Sequence, residues 1–188
     1  MILYNEKLKP ILEDLESPEI ELAGGSTVGM ILSITNSLIV YICNLTIGKK
    51  KYEDVQDEVI RIKNEAAKIK ETALKVIDED REVLDKILKA YKVRKTNPNE
   101  LEEASKAGVL FCKDVMDKAI QTVELSERIA KVGNKMLASD FEISKKYAMS
   151  SVEASVVNIE INLKFVNDEN FIKKIREDYT NKIKQIKK

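Results

Sequence analysis

The longest uncharged segment of the chain contains the run Val28 to Ile47, in which there is no proline. A run of this length and composition predicts a helix that is buried on nearly all sides. Its small and polar residues recur at helical spacing and form a narrow stripe along an otherwise aliphatic helix. They are Ser26, Gly29, Ser33, Asn36, Ser37 and Asn44. We therefore predict a central helix over about 26–47, capped by Ser26, whose stripe faces another helix or a ligand.

Residues 52–91 follow a second pattern, with apolar residues at alternating steps of four and three and no glycine or proline. This spacing predicts one long helix. Between Val76 and Leu84 the position due for an apolar residue is Asp80. A carboxylate on a buried seam is costly unless it is paired or hydrogen-bonded. The simplest interpretation is an ion pair with a lysine or arginine of a neighbouring helix, and a functional acid is the alternative.

The rest of the chain also predicts helices and no strands. Amphipathic patterns cover about Ile2–Leu15, a helix that restarts at Asn97-Pro98-Asn99-Glu100 and continues through about Thr122, a continuation over 123–138, and a last helix after Asp168. Ser139-Asp140-Phe141-Glu142 has the form of a capping box for a helix that carries Ala148 to Asn162. We predict an all-α helical bundle, formed as a single domain over 1–188.

Composition removes several classes of function. Lysine plus arginine and aspartate plus glutamate number 32 each, so no overall field favours nucleic acid or an acidic membrane. Histidine is absent, which removes the commonest proton shuttle and the commonest transition-metal ligand. The two cysteines, Cys43 and Cys112, have no metal-ligand spacing, so we expect a reducing cytoplasm and no bound metal. Acid–base chemistry must then use a carboxylate, lysine, tyrosine or cysteine.

A membrane helix is the alternative interpretation of the uncharged run, because Leu22 to Gly48 is long enough to span a bilayer. Two asparagines, several hydroxyls and four glycines within those limits lower the gain from insertion. A polar stripe inside a soluble bundle explains the same residues. No cleavable signal peptide is expected, because charged residues interrupt the N-terminal region before any apolar run develops.

A second polar stripe lies near the C-terminal end. Ser151, Ser155, Asn158 and Asn162 step by four, three and four, so they share one helix face. The structural interpretation is a buried amide network in which this stripe hydrogen-bonds to the first one across a helix interface. The functional interpretation is a ligand site between the two stripes.

Four separated blocks resemble one known family in the right order: the turn Gly24-Gly25-Ser26; Asn44-Leu45-Thr46 with Gly48-Lys49-Lys50-Lys51-Tyr52; Gly133-Asn134 with Ser139-Asp140; and Asn158-Ile159-Glu160-Ile161-Asn162. The acidic segment Ile77-Asp78-Glu79-Asp80 also resembles that family's long helix. The family is that of folate cyclodeaminases and methenyltetrahydrofolate cyclohydrolases. The resemblance implies an all-α homodimer with a tetrahydrofolate derivative as substrate and no permanently bound cofactor.

The resemblance also implies roles for individual residues. Asp140 and Asp80 are the candidate acid–base carboxylates. The side chains of Asn44, Asn134, Asn158 and Asn162 are expected to hydrogen-bond the pterin amide edge. Backbone at Gly24, Gly25 and Ser26 is expected to approach the ligand, and Lys50 or a neighbouring lysine to meet the carboxylates of the glutamate tail.

The sequence departs from the family pattern at several positions. Leu22 stands where proline is usual, Ala23 replaces a glycine, Leu32 and Thr35 replace small residues, and Glu124 stands where proline tends to occur. Bulk at these positions could narrow a pocket, so a catalytically inactive bundle that serves binding or assembly is the alternative function. Cyclohydrolysis and cyclodeamination both stay open, and the lack of an attached transferase portion favours a cyclohydrolase.

Overall fold

The computed structural model describes residues 8–18 and 22–187, and the predicted apolar positions Ile2 and Leu3 lie outside them. Within the described residues there are six α-helices and no strand, so the predicted all-α class is confirmed. The helices are α1 (Lys9–Glu16), α2 (Gly24–Asn44), α3 (Gln56–Val93), α4 (Pro98–Val132), α5 (Ala138–Leu163) and α6 (Glu169–Ile186). Two short 3₁₀ helices, Lys50–Val55 and Lys135–Leu137, precede α3 and α5.

The core of the bundle forms around α2, which packs against α3, α4 and α5. Leu32, Ile39 and Ile42 of α2 are fully buried, because the helix has neighbours on most of its circumference. Facing helices contribute aliphatic residues at the predicted spacing, including Ile62 of α3, Met116 of α4 and Ile159 of α5. Burial of this continuous apolar surface is the main stabilisation of the bundle.

The predicted helix boundaries need three adjustments. The central helix runs over Gly24–Asn44, two residues earlier at its start than predicted, and the long helix begins at Gln56 because the chain first makes a 3₁₀ turn. Pro98 starts α4 at its first turn as predicted. The possible break after Thr122 is absent, so α4 is one helix of 35 residues.

Two capping predictions are wrong. The residue before α2 is Ala23, and Ser26 lies in the first turn, where its side chain bonds to another helix. The capping box at Ser139 does not form, because α5 already begins at Ala138. In its place Asn134 caps the preceding 3₁₀ helix by accepting a hydrogen bond from the Met136 backbone N–H.

The predicted hydrogen bonding between the two polar stripes is also wrong. Ser33 and Ser37 donate to carbonyl oxygens of α2 itself, and Ser151 and Ser155 donate to carbonyl oxygens of α5. A hydroxyl that finds a carbonyl one turn back needs no partner on another helix. The bond from Asn36 Nδ2 to Thr122 Oγ1, at 3.0 Å, crosses from α2 to α4.

The two terminal helices differ in how they are held. No residue of α1 is buried, whereas α6 begins at an Asp168 cap and inserts Ile175 into the core, so it is a packing element. By length and composition α2 is the one described helix that could cross a membrane, and 56% of its most apolar window is buried inside the bundle.

Candidate active site

Asp80 is buried on the apolar face of α3, as the interrupted stripe predicts, and its carboxylate faces the start of α2. Its Oδ2 accepts hydrogen bonds from the Ser26 backbone N–H at 2.8 Å and from Ser26 Oγ at 3.1 Å. First-turn N–H groups have no partner within their own helix. Ala23 offers no side-chain cap, so Asp80 of α3 supplies the missing acceptor from outside α2.

The predicted ion pair of Asp80 is wrong. Within the described residues no lysine or arginine pairs with its carboxylate, and Oδ1 accepts no hydrogen bond. Burial raises the pKa of the Asp80 carboxyl above its ordinary value, and the two bonds from Ser26 only partly oppose this shift. A carboxyl with a raised pKa and one oxygen free of protein hydrogen bonds suits proton transfer.

Gly25 is required by the position of this carboxylate. A Cβ atom at residue 25 would overlap Asp80 Oδ1, which leaves room only for a hydrogen. At the neighbouring Gly24 an added Cβ would lie 3.6 Å from Asn158 Oδ1, an ordinary van der Waals distance. The two glycines therefore differ: Gly25 allows close approach of backbone and carboxylate, and Gly24 tolerates a side chain.

A recess of about 170 Å³ opens beside Asp80, between the start of α2, α3, α4 and the end of α5. It is lined by Ala23, Gly24, Gly25, Asp80, Val83, Leu84, Ile87, Cys112, Asn158, Ile161 and Asn162. Asn162 Nδ2 donates to the Asn158 carbonyl at 3.0 Å and lies 3.8 Å from Cys112 Sγ. The side-chain amide of Asn158 makes no hydrogen bond to another described residue, so it is available to a ligand.

Among the recess residues that the sequence interpretation missed, Cys112 is the one with a titratable side chain. Burial and the nearby Asp80 carboxylate raise the pKa of its thiol to about 12, so it stays protonated. The signal in the sequence was Gly108, one turn earlier, where an added Cβ would lie 3.4 Å from the Asn162 amide. A small residue at i and another at i+4 indicate a close approach between two helices.

The remaining predicted site residues lie at the opposite end of the bundle. Asn44 and Lys50 are exposed, Asn134 is buried and Asp140 is partly buried in the first turn of α5. Eighteen residues of helix separate Asp140 from Asn158, which is about 27 Å at 1.5 Å per residue. Within one chain the structure thus brings together Gly24, Gly25, Ser26, Asp80, Asn158 and Asn162, and it does not bring Asn44, Lys50, Asn134 or Asp140 to them.

At that opposite end, Asn134 holds the chain after α2. Its backbone N–H donates to Thr46 Oγ1 at 3.0 Å, its Nδ2 donates to the Leu45 carbonyl, and its Oδ1 accepts from the Tyr52 hydroxyl. Gly48 has a φ of 76°, which glycine adopts without strain. These bonds fix the turn that presents Lys49, Lys50 and Lys51 to solvent.

Most of the residues that depart from the family pattern lie outside the recess. Leu32 and Thr35 are fully buried in the core and do not line the recess, and Glu124 is exposed on α4. Two departures from the family pattern border the recess: Ala23, and Leu84, which stands where the family usually has phenylalanine. The argument for a closed pocket therefore loses most of its support.

Comparison with known proteins identifies the family of the chain. The profile of the formiminotransferase-cyclodeaminase family matches residues 7–181. The chain belongs to this family. It is 27% identical over 177 residues to the methenyltetrahydrofolate cyclohydrolase of Methylorubrum extorquens, covering 89% of this chain and 84% of that protein.

Two further relatives extend the comparison. The crystal structure of formiminotetrahydrofolate cyclodeaminase from Thermotoga maritima superposes with a TM-score of 0.90 at 28% identity, covering 98% of this chain and 92% of that one. The formimidoyltransferase-cyclodeaminase of Rattus norvegicus is 22% identical over 192 residues. The match covers 98% of this chain and 36% of the rat protein.

Proposed function

We propose that the protein is an enzyme of folate one-carbon metabolism, acting as a methenyltetrahydrofolate cyclohydrolase or a formiminotetrahydrofolate cyclodeaminase. The observation that carries the proposal is the Asp80 carboxylate, which is buried, unpaired with any described cation, and open through Oδ1 to a recess lined by two asparagines. Family membership and the names of the relatives support the same substrate class.

The two reactions place the same demand on the protein. In cyclohydrolysis, water oxygen bonds to the cationic carbon between N5 and N10 and loses a proton. One C–N bond then breaks, its nitrogen takes up a proton, and the new hydroxyl loses its proton as it becomes the carbonyl of a formyl group. In cyclodeamination, N10 attacks a formimino carbon at N5 and loses its proton, while the formimino nitrogen takes up protons and leaves as ammonia. Each passes through a tetrahedral carbon flanked by nitrogens, so each needs a positioned proton acceptor and a negative group near a cation.

Asp80 supplies both properties in this proposal. Its Oδ1 accepts the proton, and its negative charge stabilises the cationic substrate carbon. Ser26 holds the other oxygen and fixes the plane of the carboxylate. Asn158 and Asn162 hydrogen-bond the heterocycle, because an amide presents a donor and an acceptor in one plane.

The test is spectroscopic. We expect the purified protein to accelerate the loss of the absorbance of 5,10-methenyltetrahydrofolate, or to form that absorbance from 5-formiminotetrahydrofolate. Asp80→Asn is expected to lower kcat by about 10²–10⁴-fold, the range of general acid–base catalysis. Asp140→Asn, measured in parallel, examines the second predicted carboxylate and is expected to cost less, about tenfold.

Asp78→Asn is the matched control, because Asp78 is exposed on the same helix and does not line the recess. Its rate should stay within about twofold of the parent. Absence of both activities and of any tetrahydrofolate binding would leave the catalytically inactive bundle as the better account.

The proposal extends to assembly and location. We propose a cytoplasmic location, supported by the two free, buried cysteines, and a homodimer, which the family resemblance implies. No bound metal is part of the proposed chemistry.

A further inference from the structure

The side of α3 that lines the recess continues past it toward the end of the helix. Asp80, Leu84 and Ile87 of this side line the recess. The next positions at the same spacing are Tyr91 and, at the C-cap of the helix, Arg94. Residues three or four apart lie on one side of a helix, so a single strip of side chains runs from the buried carboxylate to the guanidinium of Arg94.

The opposite wall of the recess continues in the same direction. Asn162 lines the recess near the end of α5, and the backbone N–H of Phe165 donates to the Asn162 carbonyl at 3.1 Å. The Phe165 ring meets the Tyr91 ring edge to face, with the ring centroids 5.8 Å apart and the planes at 73°. The two walls are therefore still in contact one turn further along α3, at an aromatic pair.

The guanidinium of Arg94 is held against this aromatic pair. Its central carbon lies 3.8 Å from the centroid of the Tyr91 ring, and Nη1 donates to the Tyr91 carbonyl at 2.7 Å. Among the described residues the guanidinium makes no ion pair and no second hydrogen bond. A guanidinium carries five N–H donors, so a cation with most of its donors unused is fixed at the end of the strip.

We propose that Arg94 binds a carboxylate of the substrate's glutamate tail, so that the strip from Asp80 to Arg94 contacts a folate along its length. This role rests on the function proposed above and needs only residues of the same chain. Among the described residues that line the recess there is no lysine or arginine, so an anionic tail that leaves the recess needs a cation beyond its rim. An arginine can meet a carboxylate with two parallel hydrogen bonds.

The length of the strip fits the substrate. Asp80 and Tyr91, on which the guanidinium rests, are eleven residues apart, or about 17 Å at 1.5 Å per residue. In a folate, a benzene ring, an amide and the glutamate side chain separate the reacting carbon from the far carboxylate by roughly 12 Å, at about 1.3–1.5 Å per bond. A hydrogen bond of about 3 Å at each end accounts for the difference. Leu84 and Ile87 supply the apolar surface for the benzene ring between them.

A substrate without the tail carboxylates tests this role. The analogue carries methylamine in place of the glutamate, so it keeps the heterocycle, the benzene ring and the amide. We expect the parent protein to have a KM about tenfold higher for the analogue, because a charge-assisted hydrogen bond is lost. In Arg94→Ala the KM for the folate should rise by about the same factor. The KM for the analogue and both kcat values should stay within about twofold of the parent.

Conservative variants separate binding of the tail from capping of the helix. Arg94 also bonds to the last turn of α3, but a loss of structure would raise the KM of the folate and of the analogue alike. Arg94→Lys keeps the charge without the planar fork and should restore part of the tenfold difference. Tyr91→Phe keeps the ring beneath the guanidinium and should match the parent, whereas Tyr91→Leu should raise the KM for the folate alone, by about threefold.

Lys89→Ala is the matched control for the loss of one positive charge. Lys89 lies five residues before Arg94, which turns its side chain about 140° around α3 from the strip. It is exposed and pairs with Asp85, and an exposed pair of this kind contributes little to stability. Both KM values of this variant should stay within about twofold of the parent, so a rise as large as that of Arg94→Ala would overturn the specific role of Arg94.

Equilibrium dialysis distinguishes failure of this role from failure of the proposed function, because tetrahydrofolate and its methylamide analogue bind without turnover. A parent that prefers tetrahydrofolate, loses that preference in Arg94→Ala and turns over neither candidate substrate contradicts the proposed function and leaves the tail site standing. An active parent without a preference for the glutamate tail overturns the role of Arg94. A preference that Arg94→Ala retains and Lys50→Ala removes overturns it as well.

Discussion

At each end of α2, backbone groups that have no partner within the helix bond to a side chain from another part of the chain. At the N-terminal end, unpaired N–H groups find the Asp80 carboxylate, and at the C-terminal end the Leu45 carbonyl finds the Asn134 amide. Asn134 uses both its oxygen and its nitrogen on the protein. Asp80 uses one oxygen and leaves the other at a recess. Asp80 therefore keeps one oxygen available to a ligand, whereas both polar atoms of the Asn134 side chain are already bonded to the protein.

The largest effect that we expect at the Asp80 end follows from substitution of Gly25. We expect Gly25→Ala to reduce kcat/KM by at least about 100-fold, because the new methyl group must displace the Asp80 carboxylate. Gly24→Ala is the matched control and should stay within about threefold, since its Cβ meets Asn158 at an ordinary distance. Equal losses in steady-state assays of the two variants would refute the claim that only Gly25 is sterically required.

At the other end, the expected loss is of stability. Asn134→Ala removes hydrogen bonds to the Leu45 carbonyl and the Tyr52 hydroxyl, so we expect the free energy of unfolding to fall by about 1–3 kcal/mol. Asn44→Ala removes an exposed amide and should change it by less than about 0.5 kcal/mol. Urea denaturation followed by circular dichroism measures both. Indistinguishable midpoints would mean that the Asn134 network does not hold this end together.

The turn that presents Lys49, Lys50 and Lys51 to solvent gives a further test of this comparison. The family resemblance assigns Lys50 to the carboxylate tail of the substrate, whereas within one chain Lys50 lies at the end of the bundle opposite the recess. On that assignment we expect Lys50→Ala to raise KM about five- to tenfold with little change in kcat, because an exposed lysine takes no part in bond making. The effect should shrink at high salt. Lys146→Ala, at an exposed position of α5 away from the turn, is the control. A lower kcat with unchanged KM would contradict this role.

The smallest expected effect concerns the pH dependence of stability. An unfolded aspartate ionises near pH 4, whereas burial raises the pKa of Asp80 in the fold. Between the two pKa values the folded state binds more protons than the unfolded state, so the free energy of unfolding falls as pH rises. Residue 80 cannot ionise in Asp80→Asn, so the Tm of this variant should rise relative to the parent as pH increases above about 4, the pKa of an unfolded aspartate. Parallel Tm curves across that range would count against a raised pKa.

Sequence reasoning recovered the helices and the position of Asp80 because both depend on local spacing. The uncharged run predicted α2, and the interrupted stripe of α3 marked the buried carboxylate. Sequence reasoning did not identify the hydrogen-bond partners of Asp80, because a buried carboxylate can pair with a cation or with the N–H groups at the start of a helix. Nothing in the spacing around Asp80 distinguishes these outcomes, and only the tertiary position of Ser26 does.

Local sequence patterns also could not predict which of the site residues lie together in the fold. Matching blocks lie at both ends of α2 and α5, and spacing along the chain does not reveal which blocks meet in space. The serine stripes illustrate the same limit, because a serine can satisfy its hydroxyl on the preceding turn of its own helix. Gly25 was predicted as a site of close approach, whereas its specific contact with Asp80 needed coordinates.

The unbroken length of α4 has a consequence for sequence variation in this protein. Its 35 residues include Cys112, which lines the recess, and end at Val132, two residues before Asn134, so the helix fixes the separation between the two ends of the bundle. Loss or gain of a single residue within it would turn everything downstream by about 100°. Length changes in this segment should therefore be tolerated only near Pro98 or beyond Val132, and alignments that place a gap between those points deserve to be redrawn.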